Sequence, residues 1–206
     1  MTVEELLEKC DLCVTSRRGD GIHRSFVCDN DDLNDFFAND AAVYQKRLLG
    51  KTYFFCLKEN PAVIVSAFTL SNDSIRLTNK LTETDRDLFL ETTELSEKNL
   101  RRYPAVLIGR LGTNRDYAGK GYGSAVMDFI KLWFRTSNKT GCRFIIVDAY
   151  NQPATLRYYE KNHFKYLIPD ERLEAKYMGI GIGRLPLNTR FMYFDLLDVQ
   201  IDEEDE

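Results

Sequence analysis

The amino-acid sequence predicts an α/β sandwich, a single sheet with helices on both faces. Three observations carry that prediction. The second half alternates short apolar runs with amphipathic stretches in the order strand, loop, helix, strand, helix, strand. The first half pairs two aromatic, β-branched runs across a turn. The 206 residues are 44% hydrophobic and 29% charged, a globular balance with enough chain for a core, and residues 1–206 read as one domain.

Val3–Lys9 has the helical spacing of Leu6 and Leu7 but is short. After the apolar Phe26-Val-Cys28, Asn30 offers an N-cap for a helix over Asp31–Leu49, with Leu33, Phe36, Phe37, Ala41 and Tyr44 on its apolar face. Gly50 ends it. Thr52–Leu57 and Ala62–Leu70 form a predicted antiparallel hairpin turned at Asn60-Pro61. Ser71–Arg102 is polar and acidic and reads as a solvated insertion, with a helix start at Thr82 and Asp85 and a position suited to an acceptor lid.

Ala105–Leu111 is a predicted core strand. Gly112–Gly123 is a loop with four glycines, and Ser124–Arg135 a helix. That helix sets Val126, Phe129, Ile130 and Trp133 opposite Asp128, Lys131 and Arg135. Arg143–Ala149 is the next strand, and Asn151 caps a helix that carries Pro153 in its first turn and runs to Asn162. Phe164–Ile168 and Thr189–Leu196 complete the strands, and the acidic tail Asp202–Glu206 is expected to be disordered.

The net charge of −4 argues against non-specific nucleic-acid binding, which needs surplus Lys and Arg, yet leaves room for a local basic patch. No stretch has the apolar length of a membrane span, and the first residues lack the pattern of a secretory leader, so a cytoplasmic protein is expected. Five cysteines (Cys10, Cys13, Cys28, Cys56, Cys142) read as small buried hydrophobes. Cys10-Asp-Leu-Cys13, with His23 and Cys28 nearby, has the outline of half a zinc or redox site, but a second CxxC is absent and no metal is expected.

The chemistry gathers in Leu111-Gly-Thr-Asn-Arg-Asp-Tyr-Ala-Gly-Lys-Gly-Tyr-Gly-Ser124, where a core strand enters a glycine-spaced loop that opens into a helix. Glycines let the backbone approach a ligand, and first-turn amides at the positive end of the helix dipole make an anion site. A pyrophosphate suits it; the plainer reading is a tight turn. Gly-Lys-Gly is not the Gly-Lys-Ser/Thr of a nucleoside-triphosphate loop, and the spacing GxGxG is not the dinucleotide fingerprint.

The run LGTNRDYAGKGYGSAVMDF resembles the strand, loop and R/Q-x-x-G-x-G pyrophosphate clasp of the GNAT acetyltransferase superfamily. Downstream, Asn151-Gln-Pro-Ala154 followed by Tyr158-Tyr-Glu-Lys-Asn-His-Phe164 is similar to that family's N-x-P-A…Y-E-K-x-G-F signature. Phe26-Val-Cys-Asp-Asn with Leu33, Phe36, Tyr44 and Gln45 resembles the branch containing toxins that acetylate the amino group of aminoacyl-tRNA. Two positions depart from the family: Ala118 replaces the Arg or Gln heading the clasp, where Arg115 or Lys120 would have to compensate. His163 replaces a helix-ending glycine, leaving Asn162 to take the left-handed position.

The resemblance implies a mixed, largely antiparallel sheet with a splayed central strand pair, and acetyl-CoA as the acyl donor. It implies donor binding by Leu111, Gly112, Thr113, Ala118, Gly119, Lys120, Gly121, Tyr122, Gly123, Ser124 and Asn151. Tyr159 takes the place of the family's general acid, and Tyr158, about 100° away on the helix, a packing role. Asn151 and Tyr159 have plainer readings as a helix cap and a packed ring. No general base stands out; Asp148 is possible by position, and a low-pKa amine such as that of an aminoacyl ester needs none. The expected function is acetyl transfer to a primary amine, with tRNA-directed acetylation and an idle coenzyme-A-binding fold as alternatives. The tRNA reading calls for a basic groove with Lys46, Arg47, Lys51 and Arg110 as contributors. A homodimer is allowed by the apolar first helix and strand edges.

Overall fold

The computed structural model describes residues 1–14, 26–78, 80–94, 100–138 and 141–200. His23 and the tail Asp202–Glu206 lie outside them. The described strands form a seven-stranded sheet in the order β1-β2-β3-β4-β5-β7-β6. They are β1 (Cys10–Val14), β2 (Lys51–Leu57), β3 (Ile64–Arg76), β4 (Arg102–Thr113), β5 (Phe144–Tyr150), β6 (Lys165–Tyr166) and β7 (Thr189–Asp195). The helices are α1 (Val3–Lys9), α2 (Asp31–Asp35), α3 (Ala41–Lys46), α4 (Glu83–Thr92), α5 (Tyr122–Thr136), α6 (Pro153–Lys161) and α7 (Glu171–Met178). This is the mixed, mostly antiparallel α/β class that the sequence predicts. No helix among the described residues is long and apolar enough to cross a membrane. Two compact units divide the chain, Met1–Asn72 with Ile108–Trp133 and Asp73–Leu107 with Phe134–Glu206.

In the first unit, β1 pairs antiparallel with β2 and β2 with β3. Thr52 through Cys56 are all buried, because both faces of β2 are covered. On one face Tyr53 meets Trp133 and Phe55 meets Phe129, each at 5.1 Å between ring centroids. On the other, Phe54 and Cys56 join Phe26, Leu33, Phe36, Phe37 and Ala41. The hydroxyls of Thr52 and Thr69, opposite each other in the ladder, hydrogen-bond at 2.8 Å inside this apolar surround.

The predicted helix over Asp31–Leu49 differs in two respects. Asn30 caps it as expected, its side chain accepting from the Leu33 N–H at 3.1 Å. Phe36–Asp40 then takes π-helical geometry, whose wider turn seats the adjacent Phe36 and Phe37 both in the core. Helix α3 stops at Lys46, and Leu48 adopts a left-handed φ of 58° ahead of Gly50. The pair Cys10/Cys13 belongs to β1, a strand not predicted. All five cysteines are free thiols, and burial raises those of Cys10 and Cys28 and pushes Cys56 up to about 12.

In the second unit, β4 pairs parallel with β5 over Ala105–Leu107 opposite Phe144–Ile146. β5 pairs antiparallel with β7 along its whole length. The core comprises Ile75, Leu77, Leu81, Phe89, Tyr103, Phe144, Ile146, Ile168 and Tyr193. That overturns the solvated-insertion reading of Ser71–Arg102. β3 runs on to Arg76, and α4 forms where Thr82 and Asp85 signal it, its Phe89 packing on Tyr103, Phe144 and Tyr193. The segment is polar on average because one apolar residue per turn suffices to dock a short helix. The predicted solvent face of α5 also needs correction, for Lys131 is buried beside Asp128 at 3.7 Å, and loss of hydration lowers its pKa.

Between Ile168 and Thr189 the predicted elements leave a gap, and α7 fills it. Asp170 caps it through the Arg172 and Leu173 N–H groups, and Gly179 ends it at φ 75°. Glu174 on its inner face is fully buried and takes the Arg190 guanidinium and the Phe191 N–H. Arg190 also donates to the carbonyls of Ile168 and Pro169. Removing one partner leaves an uncompensated buried charge. Glu174→Ala is expected to cost about 3 kcal/mol, read as a lower urea midpoint at unchanged m-value.

Candidate functional site

The clasp starts from the end of β4. Gly112 accepts a hydrogen bond from the Ser66 hydroxyl at 2.8 Å, and the Asn114 N–H donates to Val65 O at 2.8 Å. Backbone groups alternate direction along a strand, so Gly112 and Asn114 face β3 while Leu111 and Thr113 face the other edge. Gly112 has a further task in packing. A Cβ there would lie 3.1 Å from the Phe26 ring, 3.4 Å from Leu33 and 3.5 Å from Cys28 Sγ. Of the three predicted strand contacts, Gly112 carries the helix side of the core.

Asn114 turns the chain, and the sequence reading did not single it out. It is buried, donates from Nδ2 to Ile64 O at 2.9 Å and accepts from the Asp116 N–H at 3.2 Å. Its signal was an Asn two residues before Asp116 at the end of a strand, the pattern of an Asx turn. Arg115–Tyr117 makes one 3₁₀ turn, and Ala118 follows in extended conformation. Gly119 and Gly121 adopt φ 72° and 88°, values that side chains resist. A Cβ at Gly119 would meet nothing within 4 Å, whereas one at Gly121 would meet Met1 Cβ at 3.2 Å.

Helix α5 begins two residues earlier than predicted, so Gly123 and Ser124 lie in its first turn. Its first intrahelical bond runs from the Ala125 N–H to Gly121 O at 3.1 Å, placing the preceding amides at the positive end of the dipole. Tyr122 is buried edge-on to Tyr117 at 5.4 Å. Of the two cations that would make up for Ala118, Arg115 is held by Asp29 at 2.6 Å. Lys120 is exposed above the Tyr117 ring at 5.7 Å.

The second unit holds the other predicted residues. Asn151 does not cap α6; Gln152 stands at the cap without a side-chain bond. Instead Asn151 Nδ2 donates to Glu171 Oε1 and to Leu187 O, both at 2.8 Å, so its amide protons are spent on α7 and the segment before β7. Tyr159 lies near the end of α6, 8% exposed, edge-on to Tyr158 at 5.2 Å and Phe164 at 5.3 Å. Burial alone raises its phenol well above the ordinary range. At the end of α6, His163 and not Asn162 takes the left-handed conformation, φ 62°. Asn162 is committed by its side chain to Tyr158 O at 2.7 Å. Asp148 stands on β5 opposite Phe191, its carboxyl pushed up by loss of hydration and then by Asp73.

The basic residues singled out for a groove divide. Arg110 turns inward, 3.9 Å from Asp32 and 5.0 Å from the Phe36 ring centre. Lys51 lies over Tyr53, while Lys46 and Arg47 are exposed at the end of α3.

The solved structures similar to this chain include AtaTR bound with AcCoA, with a TM-score of 0.68 at 14% identity over 93% of this chain and 96% of that one. AtaT complexed with acetyl-methionyl-tRNAfMet gives 0.69 at 14% identity over 92% and 96%. A tyrosine-to-phenylalanine mutant of KacT gives 0.67 at 15% identity over 92% and 96%. At these identities the likeness is one of fold. No curated protein matches the sequence. The model of the Acetyltransferase (GNAT) family matches residues 76–164, from the last residue of β3 past the end of α6. That match contains both the clasp and the helix of Tyr159.

Proposed function

We propose that the chain transfers an acetyl group from acetyl-CoA to a primary amine by direct attack within a ternary complex. The observation that carries this is the clasp: two glycines of positive φ, first-turn amides of α5 and Lys120, all within the family match. The charges suit a pyrophosphate. The backbone groups of Leu111 and Thr113 would pair with the amides of the donor's arm as an added strand does, and donate to the oxyanion. As the amine nitrogen bonds to the acetyl carbon, the carbon–sulfur bond breaks and the thiolate takes the Tyr159 phenol proton. The amine's surplus proton passes to water or to Asp148. A phenol kept neutral by burial holds its proton for this step over the whole physiological range.

A second reading names the amine as that of an aminoacyl-tRNA. Its support is the fold shared with AtaT complexed with acetyl-methionyl-tRNAfMet, together with the low demand such an amine makes for a base. Lys46, Arg47 and Lys51 remain as outward cations for an RNA. An idle fold that binds coenzyme A without turnover is the third reading, supported by Ala118.

Calorimetry with acetyl-CoA is expected to give submillimolar binding by the native chain and none by Gly121→Glu, with Lys120→Gln weakened between them. If the native protein binds nothing while its circular dichroism is that of a folded chain, the enzyme reading is lost. Tyr159→Phe is expected to lower kcat about 10²-fold or more, with KM for acetyl-CoA unchanged. In the native enzyme the alkaline fall of kcat should lie above the ordinary phenol range of about 10, because burial raises Tyr159. A fall at lower pH that persists in Tyr159→Phe would assign the acid elsewhere.

A further inference from the structure

Where β5 ends, one carboxylate oxygen joins three elements. Asn151 follows the last residue of the strand, and its N–H donates to Asn188 O at 2.9 Å. Its Nδ2 donates to Leu187 O and to Glu171 Oε1, both at 2.8 Å. The same Oε1 accepts from the Leu187 N–H at 2.6 Å. Glu171 is the first residue of α7, behind the Asp170 cap, and the buried Leu187 stands just before β7. The end of β5, the start of α7 and the entry to β7 are thus bonded into one junction. Bonds to an ionised acceptor are the stronger kind.

The helix that leaves this junction is α6. It starts at Pro153, and Gln152 at its cap makes no side-chain bond. Of its nine residues only Tyr159 is buried. A helix this short is marginal by itself, so its direction depends on what holds its two ends. At the far end the hold is aromatic. Tyr159 packs on Phe164 at 5.3 Å, and Phe164 on Phe194 of β7 at 5.7 Å. The Phe164 N–H also donates to Tyr159 O at 3.0 Å. At the near end the hold is Asn151.

We propose that Asn151 and Glu171 are positioning residues, whose shared bond fixes the line of α6 and with it the place of the Tyr159 phenol. This rests on the acetyl-transfer reading, in which Tyr159 gives its proton to the leaving thiolate. Such a transfer needs heavy atoms about 2.6–3.2 Å apart, and a displacement of about 1 Å costs up to about 10²-fold in rate. Both amide protons of Asn151 are given within the junction, and no clasp residue belongs to it. The pair therefore acts on the chemical step and leaves donor affinity alone. Glu171 serves through its oxygen as an acceptor and takes no part as a base.

The native chain is compared with Asn151→Ala, Glu171→Ala and Glu171→Gln. Glutamine keeps Oε1 as an acceptor for both bonds and drops the charge. Amide hydrogen exchange along α6 is expected to quicken about tenfold in both alanine variants and to stay native in Glu171→Gln. Exchange in the β2–β3 ladder should not change, because only global unfolding would quicken both. Acetyl-CoA affinity by calorimetry is expected to be native in all three variants. With saturating acetyl-CoA and glycinamide as the amine probe, kcat should fall about tenfold or more in the alanine variants. Glu171→Gln should keep the native kcat. Native exchange along α6 in the alanine variants would overturn the proposal. So would a Glu171→Gln enzyme as slow as Glu171→Ala, since the carboxylate would then be a reactant. Acetyl-CoA binding weakened by Asn151→Ala would overturn it too, by making Asn151 a donor contact. If the native chain leaves glycinamide untouched, exchange and affinity decide the proposal by themselves. Failure of the acetyl-transfer reading shows in the native chain, whereas failure of the junction shows only in the variants.

Discussion

The clasp hangs on one buried side chain. Asn114 bonds backward to β3 through its own N–H and its Nδ2, and forward to the Asp116 N–H through Oδ1. In this way it ends the strand and starts the 3₁₀ turn in a single residue. That direction sets the extended Ala118, the left-handed Gly119 and Gly121, and the start of α5. A loop of this kind has few apolar contacts of its own. A buried amide with both ends satisfied supplies the rigidity that a phosphate site requires.

Most of the scaffold is legible in the sequence because period and punctuation agree there. Val126 and Ile130 mark α5, Asn30 and Thr82 mark caps, and the runs TYFFCL and FIIVDA mark strands. The clasp glycines are legible because a residue without a side chain adopts positive φ at little cost, as Gly119 and Gly121 do. What escapes the sequence is tertiary. Asn151 looks like a cap, yet it is bound by Glu171 and Leu187, twenty and thirty-six positions away. The stretch from Ser71 to Arg102 looks solvated on composition, while Ile75, Leu81 and Phe89 go inside. Glu174 reads as a surface residue until Arg190 arrives from another element. No local window contains such partners.

The chemistry is lopsided in an informative way. Tyr159 is surrounded by rings, and burial keeps its phenol protonated. No side chain among those described is placed as plainly to receive a proton, since Asp148 is itself raised toward the neutral form by lost hydration and Asp73. In the proposed reaction, the lack of a committed base suits an acceptor amine that reaches the thioester already uncharged. Substrate choice would then rest partly on basicity, as a filter independent of shape.

The strand β2 carries a consequence of another kind. Strands with one wet face encode their register, because a one-residue slip would drive polar groups inward. β2 is buried on both sides, and its aromatic run would pack almost as well displaced by a place. One contact that tells one alignment from the next is the hydroxyl pair Thr52–Thr69, which a slip would separate in an apolar surround. Two oxygen atoms in an apolar surround thus help to fix the alignment of β2 on β3 in this half of the molecule.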